Sequence, residues 1–216
     1  MSGRTYILYV KPVLDFVFAS GLIVLFSPII IITAIAIKLD SKGPIFADIP
    51  ERVGKDKVPF KILKFRSMIE NAHELLRTDD KFKQLLEEYK KNSYKLTVDP
   101  RVTRVGKFIR KYSIDEVPQF FNVLIGEMSI VGPRAYYLDE FNDQQKKFPQ
   151  TRLLINNVIR VKPGITGVWQ TSGRSEINFD KRVEIDALYV DNVSLWSDLM
   201  IMLKTPWAMI SGKGAV

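Results

Sequence analysis

From Phe16 to Ile37 the chain carries no charged residue, with Asp15 and Lys38 bounding the run. As a straight helix this stretch would be about 33 Å long, enough to cross a hydrocarbon core of about 30 Å. It is longer than a signal peptide's apolar region, so it is expected to stay in the mature protein. Ser27-Pro28 interrupts its middle. Pro28 has no N–H for the Val24 carbonyl and its ring crowds that turn, so the helix is expected to kink or break. The Ser27 hydroxyl stands where it can satisfy a freed carbonyl. Two geometries follow: a kinked helix that crosses, or a helix–break–helix that enters and leaves by one face. Arg4 and Lys11 precede the run, whereas Lys38, Lys42, Arg52, Lys55, Lys57, Lys61, Lys64 and Arg66 follow it. The positive-inside bias puts the body of the chain in the cytoplasm under either geometry.

Beyond Lys38 the pattern predicts an α+β, mainly helical body. Pro44 to Ala47 and Pro59 to Phe65 read as strands flanking the turn Gly54-Lys-Asp-Lys, a small β-hairpin. Glu70 to Asn92 predicts an amphipathic helix or helix pair, apolar at Leu75, Leu76, Phe82, Leu85, Leu86 and Tyr89. Asp99-Pro100 is a turn. Val105 to Tyr112 predicts a basic helix, Asp115 to Leu124 another, and Tyr136 to Lys147 a third. Pro163 to Gly167 reads as a turn-rich loop. From Leu195 to Ile210 an apolar stripe containing Trp196 and Trp207 suits either the core or a membrane interface. With no internal repeat or linker, the economical division is an anchor over residues 1–40 and one catalytic unit over residues 41–216.

Charge and composition then narrow the chemistry. Among the 216 residues, 32 Lys and Arg against 24 Asp and Glu give a net charge of +8, which favours anionic partners. The absence of cysteine excludes disulfides, thiolate-bound zinc and thiol catalysis. A single histidine, His73, excludes a multi-histidine metal site. On pattern it reads as a surface residue of the polar helix.

The adjacent acids Asp115 and Glu116 interrupt a basic stretch that contains Arg101, Arg104, Lys107, Arg110 and Lys111. Ser113-Ile-Asp-Glu116 fits an S-x-x-E capping box, which accounts for Glu116 without any chemistry. A catalytic reading is that the pair holds a divalent metal while one carboxylate attacks phosphorus. Arginines beside glycine and proline, as in Gly132-Pro133-Arg134 and Gly173-Arg174, suit phosphate binding where backbone must approach a ligand.

Many short motifs occur here in a fixed order: Phe26-Ser27-Pro28, Arg52-Val-Gly54, Phe60-Lys61-Ile-Leu-Lys64-Phe-Arg66-Ser-Met68 and Ser113-Ile-Asp115-Glu116-Val-Pro-Gln119. Gly126-Glu-Met-Ser-Ile-Val-Gly-Pro-Arg134, Lys162-Pro-Gly-Ile-Thr-Gly167, Gln170-Thr-Ser-Gly-Arg174, Asp186-Ala-Leu-Tyr189 and Lys204-Thr205 complete the series. In this order the chain resembles the bacterial sugar transferases, the small monotopic phosphoglycosyl transferases. The resemblance implies transfer of a hexose-1-phosphate from a UDP-sugar to undecaprenyl phosphate with release of UMP. It implies Asp115 as the nucleophile that forms a covalent phosphosugar, and Glu116 as metal partner or base. It also implies Mg²⁺ at Asp115 and Glu116, and Lys61, Arg110, Arg134 and Arg174 around the phosphates. Ser27-Pro28 becomes the break of a re-entrant helix in the inner leaflet, with the active site on the cytoplasmic face of the bacterial inner membrane. The last helix becomes interfacial, nucleic acid is not an expected partner, and a homodimer is compatible with the resemblance. The run from Val168 to Arg174 is more similar to relatives using galactose or glucose than to those using N-acetylated sugars. Pro12, Pro50 and Ala135 depart from the usual pattern, none of them at the dyad. A basic membrane-tethered scaffold without catalysis would explain the charge and the anchor, but not the acidic pair or the ordered glycine–arginine loops.

Overall fold

The computed structural model describes residues 3–91, 96, 98–172 and 177–211. Its longest element, α1 (Gly3–Asp40), opens with a π-helical turn over Tyr6–Val10 and is otherwise α-helical. It is long and apolar enough to cross a membrane, by length and composition. The expected break at Ser27-Pro28 is absent: helical geometry continues from Lys11 to Asp40 with Pro28 inside it. The Ser27 hydroxyl donates to the Val24 carbonyl at 2.8 Å, the acceptor that Pro28 leaves without its backbone partner.

α1 touches the rest of the molecule along most of its length. Near its start, the Asp15 carboxylate accepts from the Ser129 hydroxyl at 2.6 Å and the Ile130 N–H at 3.0 Å. Midway, Phe26 stacks on Phe120 with ring centroids 6.2 Å apart. Towards its end Ile37 is buried with Phe65 and Ile109, flanked by Ile30 and Ala34, and Asp40 accepts from the Val105 N–H. The outward positions, including Val17, Val24, Leu25, Ile32 and Leu39, remain exposed.

The hairpin forms, shorter than expected and at a shifted position. β1 (Arg52–Val53) pairs antiparallel with β2 (Pro59–Phe60) across the Lys55–Lys57 turn. Further out the chain pairs again: Ala47 N–H donates to the Lys64 carbonyl and Arg66 N–H to the Ile45 carbonyl, with Phe46 stacked on Phe65. The polar stretch becomes the helix pair α2 (Ala72–Thr78) and α3 (Lys83–Lys91). The basic helix is α4 (Arg104–Lys111), capped by the Thr103 hydroxyl on the Gly106 N–H.

After α4 the expected single helix divides into a 3₁₀ turn over Ile114–Glu116 and α5 (Gln119–Leu124). The capping box is not formed. Ser113 adopts a left-handed conformation (φ 55°) and its side chain makes no cap bond. The loop expected over Pro163 to Gly167 is instead a strand: β3 (Ser129–Val131) runs parallel to β4 (Gly164–Thr166). Two glycines permit this approach, since a Cβ on Gly164 would lie 2.0 Å from the Gly132 nitrogen. The remaining helices are α6 (Leu138–Lys147), α7 (Arg152–Val158), α8 (Val168–Ser172), α9 (Phe179–Asp191) and α10 (Leu195–Ser211). α10 buries Ile201 and Asp198 while Trp196, Leu203 and Trp207 are each more than 70% exposed, so its tryptophans are not core residues.

One buried carboxylate joins the two ends of the chain. Asp198 of α10 accepts from Tyr6 Oη at 2.7 Å, Lys11 Nζ at 2.6 Å and Tyr189 Oη at 2.7 Å. Removing it takes the acceptor from the Tyr6 hydroxyl and leaves the buried Lys11 ammonium with only Asp15, 4.0 Å away, and Tyr189 with only the Val131 carbonyl at 3.3 Å. Asp198→Ala is expected to cost about 3–5 kcal/mol, read as a lowered unfolding midpoint of the detergent-solubilised protein. Asp191→Ala, at a surface carboxylate that accepts from Asn157, should stay within about 1 kcal/mol of wild type by the same measurement.

Candidate active site

The outer pairing segment fixes one wall. Lys64 and Arg66 lie on one side of the extended backbone and Phe65 on the other, where it enters the core. The Phe65 N–H donates to the Asp115 carbonyl at 2.9 Å, fastening the 3₁₀ turn to this segment. Fully buried Asn122, on α5, accepts from Leu63 N–H and donates to the Lys61 carbonyl, holding the same segment from below. Lys64 Nζ therefore arrives at the acidic pair, donating to Glu116 Oε1 at 2.6 Å and lying 3.9 Å from Asp115 Oδ2. Glu116 thus meets Lys64 rather than closing a helix cap.

Asp115 is 9% exposed and Glu116 is more open. Burial raises the Asp115 carboxyl, Lys64 and Arg110 pull it down, Glu116 pushes it up, and the balance lies at about 6. The pair opens on a cavity of about 360 Å³ whose wall includes Lys64, Arg110, Gln119, Arg134, Trp169 and Gln170. Arg134 is carried on the loop after β3. Its N–H donates to buried Asp186, and its guanidinium stands 4.9 Å from the centre of the Trp169 indole. Burial lowers the Arg134 pKa, but Glu140, the neighbouring tyrosines and Glu116 outweigh it, so the group stays cationic. Arg182 also faces Trp169, at 5.0 Å, and lies 3.8 Å from Glu140.

Of the residues singled out from sequence, Asp115, Glu116, Arg110 and Arg134 come together around this cavity. Lys61 does not: it is exposed, and Lys64 is the lysine at the pair. Arg174 lies outside the described residues. Arg66 and Arg101 are structural, the first holding Ser41 and Pro44 carbonyls, the second gripping Asp99 and the Ala72 carbonyl. Alternation along the extended segment 64–66 was the available signal for Lys64. His73 is a plain correction, because it is partly buried and lines the same cavity, with its ring 6.0 Å from that of Tyr137.

The carboxylate pair suits a small divalent cation, which takes one or two protein carboxylates and fills its remaining positions with phosphate oxygens and water. Among the described residues no group of three or more His, Asp or Glu side chains could hold a metal without such help.

Residues 6–212 match the bacterial sugar transferase family, and the chain belongs to it. It is 40% identical over 211 residues to a UDP-galactose-lipid carrier transferase of Erwinia amylovora, covering 96% of this chain and 42% of that protein. It is 41% identical over 207 residues to the UDP-glucose:undecaprenyl-phosphate glucose-1-phosphate transferase of Klebsiella pneumoniae, covering 93% of this chain and 40% of that one. A UDP-N-acetylgalactosamine-undecaprenyl-phosphate N-acetylgalactosaminephosphotransferase of Aeromonas hydrophila is 39% identical over 213 residues, covering 96% of this chain and 45% of the relative. The chain thus spans about two fifths of the length of these relatives.

The solitary histidine gives a direct check on the cavity. Burial, with Arg101, Arg52 and Arg77 nearby, lowers the His73 imidazole from 6.5 to about 4. In proton NMR its ring signals should hold a constant shift from about pH 5 upward, whereas an exposed histidine would titrate near 6.5.

Proposed function

We propose that this member of the bacterial sugar transferase family moves a hexose-1-phosphate from a UDP-sugar to undecaprenyl phosphate and releases UMP. The observation that carries the reading is the buried Asp115 carboxyl, beside Glu116 and flanked by Lys64 and Arg110, at the wall of a cavity of substrate size. A carboxylate nucleophile needs cationic groups that admit a diphosphate and oppose charge building on the transferring phosphoryl. Lys64, Arg110 and Arg134 supply them.

In the proposed sequence an Asp115 carboxylate oxygen attacks the β-phosphorus. The bond from that phosphorus to the bridging oxygen breaks, UMP leaves with the bond's electrons, and the hexose phosphate remains as an acyl phosphate on Asp115. A phosphate oxygen of the polyprenyl acceptor then attacks the same phosphorus and displaces the Asp115 carboxylate, giving a polyprenyl diphosphate hexose. Glu116 is at hand to help orient the incoming phosphate or take a proton from it. Asp115 and Glu116 would hold Mg²⁺, which when bound offsets the repulsion between the diphosphate and the attacking carboxylate.

Galactose or glucose is the favoured sugar, a reading supported by two of the relatives' names and by the sequence run from Val168 to Arg174. The Aeromonas relative is the specific reason to keep an N-acetylated donor as the second reading.

Re-entry of α1 into the cytoplasmic leaflet belongs to the same proposal. Residues 15 and 37 of a straight helix lie about 33 Å apart. Both ends pack on one globular body, Asp15 on β3 and Ile37 beside Ile109. A crossing helix would draw that body's polar surface through the bilayer, whereas a continuous helix bent at Pro28, entering and leaving by one face, would leave it on one side. The exposed apolar face of α1 and the outward tryptophans of α10 would then meet lipid.

Asp115→Asn should lower UMP release from UDP-galactose or UDP-glucose by a factor on the order of 10³ or more, and should abolish rapid-quench labelling of the protein by sugar-labelled donor. Wild-type turnover in that variant would remove the nucleophile assignment. For topology, the cysteine-free chain permits Thr5→Cys. The new thiol is expected to react with membrane-impermeant reagent only from the cytoplasmic side, and labelling solely from the periplasm would exclude re-entry.

A further inference from the structure

The cavity has lining residues that the phosphate chemistry does not use, among them Arg52, Tyr137, Asn71, His73 and Tyr89. Contacts link Arg52, Tyr137 and His73 in series from the Arg134 loop: Arg52 meets the Ala135 carbonyl and the Tyr137 ring, and Tyr137 meets His73. This part of the wall carries no counterpart of the carboxylate pair, and neighbouring groups hold its arginines. Arg52 donates to the Ala135 carbonyl and lays its guanidinium 3.2 Å from the centre of the Tyr137 ring. Arg101 is held by Asp99 and the Ala72 carbonyl, and Arg77 by Asp139 and the His73 carbonyl. Beside these charged groups and Glu70 the wall presents two flat rings, Tyr137 and His73, tilted 58° to each other.

Resting on the proposed transfer from a UDP-sugar, we infer that the His73–Tyr137 end of the cavity is the nucleobase subsite, with His73 reading the edge of the uracil ring. A UDP-sugar has two ends beyond its diphosphate. The hexose is a ring of hydroxyls that calls for several separate donors and acceptors. A pyrimidine calls for flat walls and one or two contacts at its edge. An imidazole kept neutral by burial presents one donor and one acceptor nitrogen, and its tautomers let it face either a uracil carbonyl or the imide N–H. A protonated imidazole among three arginines would instead seek an anion. With Lys64, Arg110 and Arg134 gathered at the dyad, the phosphates lie towards Asp115 and the base towards α2.

The subsite also assigns a role to a residue that no chemistry at the dyad uses. His73 is a specificity residue under this assignment, not a catalytic one, since the reacting phosphorus lies at Asp115.

The test uses the purified full chain in lipid nanodiscs, with His73→Ala and His73→Gln, whose amide keeps a donor and an acceptor. Affinities for UMP and for pyrophosphate are measured by calorimetry, and KM and kcat for UDP-galactose by UMP release. For His73→Ala we expect UMP affinity to fall about tenfold and KM to rise by a similar factor, with kcat changed far less and pyrophosphate affinity unmoved. His73→Gln should recover most of the loss. UMP affinity within twofold of wild type in His73→Ala would overturn the subsite, as would an equal fall in pyrophosphate affinity, which marks a general collapse of the cavity. Should His73→Ala not fold, wild-type UMP affinity in a folded His73→Phe variant overturns it in the same way. A wild-type protein that neither releases nor binds UMP would defeat the transfer reading itself, a result distinct from either.

Discussion

The Asp198 carboxylate is the constraint around which the molecule is organised. It gathers the Tyr6 hydroxyl and Lys11 ammonium from the first helix, and the Tyr189 hydroxyl from α9, across a sequence separation that reaches 192 positions. Buried charge is costly to desolvate, so such a cluster is worth little as net stabilisation and much as specification. An apolar helix could slide or rotate on an apolar groove with small change in energy. It cannot do so while Lys11 must find Asp198 and Asp15 must find the Ser129 hydroxyl and Ile130 N–H. The register set there delivers Phe26 to Phe120 and Ile37 to Ile109, and so supports α5 and α4 on either side of the dyad.

At the dyad the same physics is used differently. Asp115 is buried beside a second carboxylate, two influences that favour its neutral form, while Lys64 and Arg110 favour its charged form. The near balance leaves a carboxyl that is less hydrated than a surface aspartate and still ionised near neutrality. Under the proposed mechanism, loss of hydration is what the carboxylate must undergo to attack phosphorus, and burial supplies part of it in advance. The backbone takes part, because the Phe65 N–H bond to the Asp115 carbonyl holds the turn at the extended segment that carries Lys64.

Local chemistry in the sequence made the helices legible, along with the hairpin turn and the acidic pair. Ser27-Pro28 was read correctly as a defect, and its remedy at the Val24 carbonyl follows from the hydroxyl's reach. Continuity of the helix was not legible, because it depends on packing against Phe120 and Ile109 from distant segments. Ser113-Ile-Asp-Glu116 has the letters of a capping box, yet Ser113 is left-handed and Glu116 is drawn to Lys64, a tertiary partner that overrides the local motif. The β3–β4 pair escaped notice because Pro163 and Gly164 look like punctuation. Gly132 and Gly164 together make so close a parallel approach possible. His73 looked like the polar face of a surface helix, and its true setting is created by Tyr137, more than sixty positions later.

The contacts of α1 also govern depth. Peripheral proteins that float on a bilayer sit wherever lipid thickness and headgroup charge leave them. Here the apolar helix and the acidic pair belong to one body, joined at Asp15, Phe26 and Ile37. Under the proposed re-entry, the height of Asp115 above the acyl chains is therefore a property of the protein. A thinner or thicker membrane would have to deform around it, and a polyprenyl phosphate would meet the carboxylate at the same level in either.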